Sequence, residues 1–216
     1  MTELLDLFTR RNVIAVLRSD DADHFVEAAQ IVHGQGIGVV EFTMSTSGAA
    51  EAIAALRLVQ PRLVVGAGTV RSVEQVEEAA KAGAMFLVSQ LFDRRVAQAA
   101  AHFGIPFVPG SLTPNEIASA WQFGVQAVKV SPIGPLGGIR YLNELRGPLP
   151  EIPLIPTGGV EVAEVGAYLA AGAVAVGISR ALFGDSLATG EFDGVAGRAR
   201  TAVESIATMR ALETAS

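Results

Sequence analysis

One pattern recurs along the whole chain: an amphipathic stretch, a single glycine, and then a short apolar run. AMFLVS follows Gly83 in this way, and AVAVGIS follows Gly172. A glycine just past a helix adopts the left-handed conformation that ends the helix at little steric cost. The apolar runs lack the alternation of a half-exposed strand, so we expect parallel strands that are covered by helices. The glycines that carry the pattern are Gly36, Gly83, Gly104, Gly124 and Gly172.

Eight such runs occur, and their starts lie about 20–26 residues apart. Division of 216 residues by eight gives 27 per strand–helix unit, which predicts one α/β domain over residues 1–216, a compact (β/α)8 TIM barrel. An open doubly wound sheet is the alternative, but no Gly-x-Gly-x-x-Gly follows the first strand. Helical spacing of apolar residues in 195–213 predicts a C-terminal closing helix. The strand candidates are 12–18, 37–44, 62–68, 84–89, 105–110, 125–132, 151–159 and 173–179.

Capping motifs mark two helix starts. A capping box pairs a Ser or Thr before the helix with a Glu or Gln three residues later, which satisfies two backbone N–H groups. Ser72 and Gln75 match this pattern, and Thr113 and Glu116 match it with Pro114 at the first helical position. We therefore expect helices to begin directly after Ser72 and Thr113.

Composition excludes several classes of protein. The chain has no cysteine, so it has no disulfide, thiolate metal site or cysteine nucleophile. Its 22 acidic residues outnumber its 16 basic ones, which argues against nucleic-acid binding. No apolar run approaches the roughly 18–20 residues of a membrane span, and the spacing of the three histidines suggests no metal site. Acids stand among the first residues in place of the basic start of a signal peptide, so we expect a cytoplasmic protein without membrane contact.

A lysine lies in the middle of the sixth strand candidate. The chain has only two lysines: Lys81 lies in a polar helical stretch, whereas Lys129 is flanked by valines in AVKVSP. A charged lysine inside an apolar strand is costly unless it is paired or neutral. Lysine, unlike arginine, can lose its proton and condense as an amine with a ketone to form a Schiff base. Lys129 is therefore a candidate nucleophile; the alternative is a lysine that reaches past the strand end or pairs with a carboxylate.

Glu41 is the natural partner of Lys129. It lies in the strand candidate VVEFT, and alternation would point both side chains into the barrel while their apolar neighbours face the helices. The pair is either a buried ion pair or a nucleophile with its proton shuttle. Both residues lie near the C-terminal ends of their strands, where barrel enzymes carry their chemistry, and this position favours the second interpretation.

Small residues close the last two strand candidates, PTGGV and VGISR. They let backbone N–H groups approach an anion, and a short helix after the eighth strand would direct its N-terminus to the same point. The loops after strands seven and eight are the recurrent phosphate site of this architecture, although Gly-rich segments are often only turns. The candidate phosphate-binding residues are Gly158, Gly159, Gly177 and Ser179.

Two further polar residues end strand candidates. Arg18 ends the first, where it is either a bidentate ligand for a substrate carboxylate or a surface partner of Asp20 or Asp21. Thr69 ends the third, where its hydroxyl either contacts the substrate or caps the following helix. Both are candidate substrate-binding residues.

Six segments of the chain are similar, in order, to motifs of one known family. They are VVEFTMST, VGAGTV, FVPGSLTPNEI, AVKVSP, PTGGV and VGIS. From about residue 10 to about residue 185 the chain resembles the 2-keto-3-deoxy-6-phosphogluconate (KDPG) aldolases and their 4-hydroxy-2-oxoglutarate and phosphogalactonate relatives. The resemblance implies a class I aldolase on a (β/α)8 barrel, a homotrimer without metal or other cofactor, with Lys129 as the Schiff-base lysine and Glu41 as the general acid/base. The residues implied to contact the pyruvyl portion are Thr69 and Thr157, and those implied to hold the phosphate are Gly158, Gly159 and Ser179.

Three positions depart from that family's pattern. The phosphogluconate enzymes carry Arg four residues after the catalytic Glu, where this chain has Ser45. Gln90 replaces the Pro of a Ser-Pro after strand four, and Ser131 replaces an aromatic residue after the lysine. The relatives that act on phosphogalactonate also lack that Arg and use an Arg that ends strand one, which is the position of Arg18. The departures leave the identity of the 2-keto acid open.

These observations lead to one hypothesis with two alternatives. The hypothesis is an aldolase that cleaves a KDPG-like 2-keto-3-deoxy-6-phospho sugar acid to pyruvate and glyceraldehyde 3-phosphate. The first alternative is the same chemistry on another 2-keto acid, such as 4-hydroxy-2-oxoglutarate. The second is a barrel that binds a phosphorylated metabolite without turning it over. The Lys129–Glu41 pair argues against the second, because a protein that only binds gains little from a buried amine.

Overall fold

The glycine pattern predicts the alternation of helices and strands. The computed structural model describes residues 3–214. The five glycines of the pattern have φ between +67° and +100°, so each follows its helix in the left-handed region that glycine adopts without strain. The strands are β1 Val13–Leu17, β2 Val39–Thr43, β3 Val64–Gly68, β4 Leu87–Val88, β5 Phe107–Val108, β6 Gly110–Ser111, β7 Val128–Val130, β8 Leu154–Pro156 and β9 Val176–Ile178. The helices are α1 Glu3–Arg11, α2 Phe25–Gly34, α3 Ala49–Val59, α4 Val73–Lys81, α5 Arg94–His102, α6 Pro114–Gln122, α7 Ile139–Arg146, α8 Val165–Ala170, α9 Arg180–Phe183, α10 Ser186–Thr189 and α11 Val195–Thr214.

The strands form two parallel sheets. A six-stranded sheet has the order β5-β4-β3-β2-β1-β9, and a three-stranded sheet has the order β6-β7-β8. The fifth strand candidate is split into β5 and β6 because Pro109 between them has no N–H to donate to a neighbouring strand. β5 pairs with β4 and β6 pairs with β7, so residues 107–111 contribute to both sheets. The other seven strand candidates are confirmed with shorter bounds.

Side chains along the strands alternate between two apolar regions. Val40, Phe42, Val128 and Val130 lie in the larger core between strands and helices, as alternation predicts. The residues between them point to the opposite, inner face of the sheets, which carries a second group of buried side chains, here called the inner cluster. The inner cluster consists of Leu4, Phe8, Ile14, Val16, Val39, Val64, Phe86, Val88, Val108, Ala127, Ile155 and Ala175.

Helix α1 covers the inner cluster at the amino-terminal ends of the strands. Its Phe8 ring meets the Phe86 ring edge to face, with centroids 5.3 Å apart and planes at 88°. Gly66 on β3 leaves the space that Phe86 fills, because a Cβ there would overlap the ring. Full burial of one such side chain stabilises the fold by about 1.5–3 kcal/mol.

The helix starts follow the predicted motifs with one correction. The capping box at the start of α6 is complete. At α4 the Ser72 hydroxyl accepts from the Gln75 N–H at 3.3 Å, but the Gln75 Oε1 accepts from the Arg71 N–H at 2.8 Å. The box predicted at Ser72 is therefore wrong in its second half. Gln75 reaches one residue further back because its Nε2 also donates to the Met44 carbonyl oxygen at 3.2 Å.

The predicted closing helix is α11, and it packs against α2, α8 and α9. Near its end the Arg210 guanidinium donates to Asn12 Oδ1 at 2.6 Å, which ties α11 to the junction between α1 and β1. Within residues 3–214, every helix is too short or too polar to cross a lipid bilayer.

Candidate active site

Six of the predicted site residues, one from each of six strands, lie within a strand or just past its carboxyl end. Because the strands are parallel, these ends meet at one edge of each sheet, and this is the edge at which α/β proteins bind ligands. The six are Arg18 after β1, Glu41 in β2, Thr69 after β3, Lys129 in β7, Thr157 after β8 and Ser179 after β9.

The structure brings Lys129 and Glu41 together on the inner face. The Lys129 Nζ lies 3.9 Å from the Glu41 Oε1, and the two residues are only 4% and 2% exposed. This distance is within ion-pair range but too long for a hydrogen bond, and the Oε1 has no hydrogen-bond partner within residues 3–214. Each group offsets the cost of removing the other from water. The result is a buried amine beside a carboxylate that does not tie it up by hydrogen bonding.

Gly68 provides the space for the Glu41 carboxylate. A Cβ on Gly68, the last residue of β3, would overlap the Glu41 side chain. Sequence reasoning missed this residue. The available signal was VGAG, two glycines inside a strand that is otherwise apolar, since such glycines often mark a close approach of another group.

Arg18 and Thr69 form a second pair. The exposed Arg18 guanidinium donates through Nη2 to the Thr69 Oγ1 at 2.8 Å. Among the described residues Arg18 forms no ion pair with Asp20 or Asp21, so that alternative for Arg18 is wrong. The cap of α4 is Ser72, so the capping alternative for Thr69 is wrong as well. Thr69 has φ +53°, a conformation that costs a β-branched residue roughly 1–3 kcal/mol and that is concentrated at functional sites.

The four candidate phosphate-binding residues line one cavity of about 410 Å³, here called the glycine cavity. Gly158 and Gly159 have φ of +83° and +79°, which only glycine adopts readily. Helix α9 begins directly after Ser179, as predicted. Sequence reasoning missed Arg180, whose position directly after VGIS was the signal. The residues that line the cavity are Gly158, Gly159, Val160, Glu161, Gly177, Ser179, Arg180 and Ala181.

Thr157 lies between the lysine strand and the glycine cavity. Its N–H donates to the Val130 carbonyl oxygen at 3.0 Å, and it forms an isolated parallel bridge with Gly177. A Cβ on Gly177 would overlap the Thr157 side chain. Thr157 therefore connects the segment that carries Lys129 to the wall of the glycine cavity.

Two of the three departures from the family pattern contact each other. The Gln90 Nε2 donates to the Ser131 carbonyl oxygen at 3.1 Å. This bond links the loop after β4 to the loop after β7. Ser45, the third departure, is exposed in the loop after β2.

Comparison with known proteins assigns this arrangement to a family. The family model described as KDPG and KHG aldolase matches residues 5–196. The chain is 34% identical over 210 residues to the 2-dehydro-3-deoxy-phosphogluconate aldolase of Treponema pallidum (strain Nichols), covering 97% of this chain and 100% of that protein. It is 32% identical over 204 residues to the KHG/KDPG aldolase of Escherichia coli (strain K12), covering 94% and 96%.

A solved structure adds a chemical observation about a relative. The KDPG aldolase from Legionella pneumophila, with pyruvate captured at low pH as a covalent carbinolamine intermediate, matches with a TM-score of 0.83 and 25% identity. The match covers 92% of this chain and 97% of that one. Fold, site and sequence thus lead to the same assignment: the chain belongs to the KDPG and KHG aldolase family.

Proposed function

We propose that this chain is a class I aldolase, a lyase that cleaves a KDPG-like 2-keto-3-deoxy-6-phospho sugar acid to pyruvate and glyceraldehyde 3-phosphate. The observation that carries the proposal is the buried Lys129 amine, 3.9 Å from the Glu41 carboxylate, at the ligand-binding edge of parallel strands. Family membership supports it, since relatives are named for this substrate and one holds pyruvate covalently. A protein that only binds a metabolite has no use for a buried amine of this kind.

The reaction begins at the Nζ of Lys129. The neutral amine attacks the C2 ketone of the substrate to give a carbinolamine, and loss of water gives an iminium. Glu41, through a water molecule, gives and takes the protons of these two steps. Glu41, again through water, then takes the proton of the C4 hydroxyl, the C3–C4 electron pair moves to the iminium, and the aldehyde leaves. Return of that proton to C3 of the resulting enamine, followed by hydrolysis of the iminium, releases pyruvate and restores the amine.

Trapping with borohydride tests this chemistry directly. In the presence of pyruvate, borohydride reduces an iminium to a stable secondary amine that intact mass and peptide mapping can locate. We expect a single pyruvyl adduct, on Lys129. Lys81 is the internal control, because it is an exposed lysine paired with Glu77 at 2.7 Å. No adduct, or an adduct on Lys81 alone, contradicts the proposal.

Two groups of residues hold the two ends of the substrate. The Arg18 guanidinium, held by the Thr69 hydroxyl at 2.8 Å, binds the C1 carboxylate through charge-assisted hydrogen bonds. Thr69 and Thr157 contact the pyruvyl portion. The glycine cavity binds the phosphate through its backbone N–H groups together with Ser179, and Arg180 adds positive charge at its wall. In this arrangement Arg18 does the work of the arginine that the phosphogluconate enzymes carry at the position of Ser45.

The alternative substrate is 4-hydroxy-2-oxoglutarate. One observation favours it: the family description and the name of the Escherichia coli relative contain both KDPG and KHG, and KHG is an abbreviation for 4-hydroxy-2-oxoglutarate. Lys129 and Arg18 would serve any 2-keto acid, whereas the glycine cavity serves only a phosphorylated one. A comparison of kcat/KM for the two substrates separates them. We expect the phosphorylated substrate to be preferred and inorganic phosphate to compete with it.

The eight-strand barrel and its oligomer belong to the same proposal. Closure is supported by the participation of residues 107–111 in both sheets and by the Thr157–Gly177 bridge. The Val174 N–H also donates to the Leu154 carbonyl oxygen at 3.1 Å. A closed barrel unfolds as one domain, with slow amide exchange at Val174. The homotrimer and the cytoplasmic location stay predictions, and light scattering of the purified protein checks the first.

A further inference from the structure

The loops after β1 and β2 run side by side. The Ala22 N–H donates to the Ser47 carbonyl oxygen at 2.9 Å, and the Ser47 N–H donates to the Asp20 carbonyl oxygen at 3.1 Å. Asp21 and Ser47 form an isolated parallel bridge. These contacts extend the pairing of the two strands into the loop that begins with Arg18. The backbone after Arg18 is thereby held against the loop after β2.

Thr46 adds a side chain to this backbone pairing. Its Oγ1 donates to the Ser19 carbonyl oxygen at 2.9 Å and accepts from the Ser19 N–H at 3.4 Å. The Thr43 Oγ1 lies 2.9 Å from the Thr46 Oγ1. Thr43 is the donor in that pair, because the hydroxyl proton of Thr46 is already donated to the Ser19 carbonyl oxygen. One bond donated and two accepted exhaust a hydroxyl, and Thr46 is only 4% exposed. Thr46 therefore acts on its neighbours and not on a substrate.

The residue that Thr46 holds stands next to Arg18. A long exposed arginine side chain samples many rotamers unless both its ends are fixed. The Thr69 hydroxyl fixes the guanidinium end at 2.8 Å, and Thr46 fixes the backbone end through Ser19. We propose that Thr46 is a positioning residue that directs Arg18 to the carboxylate of the bound 2-keto acid. This inference rests on the carboxylate role proposed above for Arg18.

Two substitutions of Thr46 test the inference. Thr46→Val removes the hydroxyl and keeps the shape, and Thr46→Ser keeps the hydroxyl. The condensation reaction is followed with pyruvate varied at fixed aldehyde, which gives kcat and the KM for pyruvate separately. We expect Thr46→Val to raise that KM by about 10- to 100-fold, because the misplaced Arg18 loses a hydrogen bond to the charged carboxylate. The kcat should stay within about threefold. Thr46→Ser should restore the wild-type KM.

A matched control and a double-mutant cycle complete the design. Thr208→Val removes a hydroxyl that donates to the Glu204 carbonyl oxygen at 3.1 Å on α11, and it should leave both constants unchanged. Arg18→Ala is made alone and together with Thr46→Val. If Thr46 acts through Arg18, the valine adds less than about twofold to the KM once Arg18 is absent. An effect of equal size in both backgrounds overturns the inference, as does a fall in kcat without a rise in KM.

The inference and the proposed function fail in different ways. If Arg18→Ala leaves the KM for pyruvate unchanged while Lys129 still forms the borohydride adduct, the roles of Arg18 and Thr46 are wrong and the aldolase assignment stands. If the wild type forms no adduct, the aldolase assignment itself is wrong. Should Thr46→Val not fold, Thr46→Cys replaces it in the cycle. Its thiol takes the position of the hydroxyl, without the γ-methyl group, and donates weakly, so we expect an intermediate rise in KM; an unchanged KM overturns the inference.

Discussion

Strand β3 contacts both the amino-terminal and the carboxyl-terminal end of the inner face, through two of its glycines. A Cβ on Gly66 would overlap the Phe86 ring, and a Cβ on Gly68 would overlap the Glu41 carboxylate. The two glycines lie two residues apart, so they face the same side of the sheet. At both ends, a glycine without a side chain leaves room for a group from another part of the chain. At the amino-terminal end the space holds an aromatic ring, and at the carboxyl end it holds a catalytic candidate.

The two ends place different demands on their residues. Phe8 and Phe86 need only shape and apolar surface, and neighbouring apolar residues satisfy both. Lys129 and Glu41 lose water and depend on each other, because a buried charge is costly when its partner is missing. Substitutions at the first end should therefore change stability, whereas substitutions at the second should change activity first. The predictions for Lys129, Phe8 and the two glycines test this division.

The largest effect is expected at Lys129. Lys129→Arg keeps the positive charge, but a guanidinium does not form a Schiff base under these conditions. We expect kcat/KM to fall at least about 10⁴-fold, since the variant lacks the amine that the proposed mechanism requires. Steady-state cleavage assays measure this, with Lys81→Arg as the control that keeps full activity. Retention of more than a few per cent of activity by Lys129→Arg would sink the mechanism.

The mutual dependence of the pair predicts a stability effect. Lys129→Met leaves the Glu41 carboxylate buried without its cation, and we expect a loss of about 3–5 kcal/mol in the free energy of unfolding. Adding Glu41→Gln removes the unpaired charge, so the double variant should be more stable than Lys129→Met alone. Urea unfolding of the two variants and the wild type checks this order. A further loss in the double variant would show that the two residues do not depend on each other.

Phe8→Ala tests the apolar end. It removes a buried ring from the contact with Phe86, and we expect a loss of about 3–5 kcal/mol in the free energy of unfolding. The folded variant should keep its kcat within about twofold, because Phe8 lies at the opposite end of the inner face from Lys129. Leu58→Ala, at an exposed position, is the control with little effect. A large fall in kcat with unchanged stability would reverse the division between the two ends.

Local signals in the sequence account for much of the fold. The positive φ of Gly172 and its four counterparts depends on the helix just before each glycine, so a local stretch of sequence is enough to predict it. Lys129 is recognisable from the sequence because a charged side chain between two valines is unusual in a buried strand. Alternation along the strands then predicts that Glu41 faces it. Gly68 and Thr46 were missed because their roles depend on contacts between different strands and loops. The shift of the Gln75 side chain to Arg71 has the same cause, the distant Met44 carbonyl.

The two glycines of β3 offer the sharpest comparison. Gly66→Ala and Gly68→Ala add the same methyl group, and overpacking of this kind costs about 1–3 kcal/mol in the free energy of unfolding. We expect only Gly68→Ala to lower kcat/KM, by about 100-fold, because a displacement of about 1 Å in a catalytic group has that effect. Thermal unfolding and cleavage assays are run on both. Equal activity losses would mean that Gly68 does not serve the site specifically.

Glu116 presents the opposite case to Glu41, a carboxylate on the surface whose partners are backbone N–H groups. Its Oε2 accepts from the N–H groups of Thr113 at 2.7 Å and Leu112 at 2.9 Å. These bonds, that of Thr113 first, hold the pKa of Glu116 below its usual value, because hydrogen bonds to the charged form favour it. Its stabilising contribution is therefore complete above the unfolded pKa, about 4.3 for glutamate. It is lost as the pH falls through the lower folded pKa.

Glu116→Gln separates this charge from the capping geometry. Glutamine still accepts the hydrogen bonds of a capping box, but it does not titrate. At about pH 6 we expect the variant to be less stable by about 0.3–1 kcal/mol, the usual value of a carboxylate at a helix N-terminus. The difference should narrow as the pH falls below the unfolded pKa and through the lower folded pKa, because the wild-type carboxyl then becomes protonated. Urea unfolding of both proteins across this range measures the difference directly. A constant difference would mean that the charge of Glu116 does not contribute to the stability of the fold.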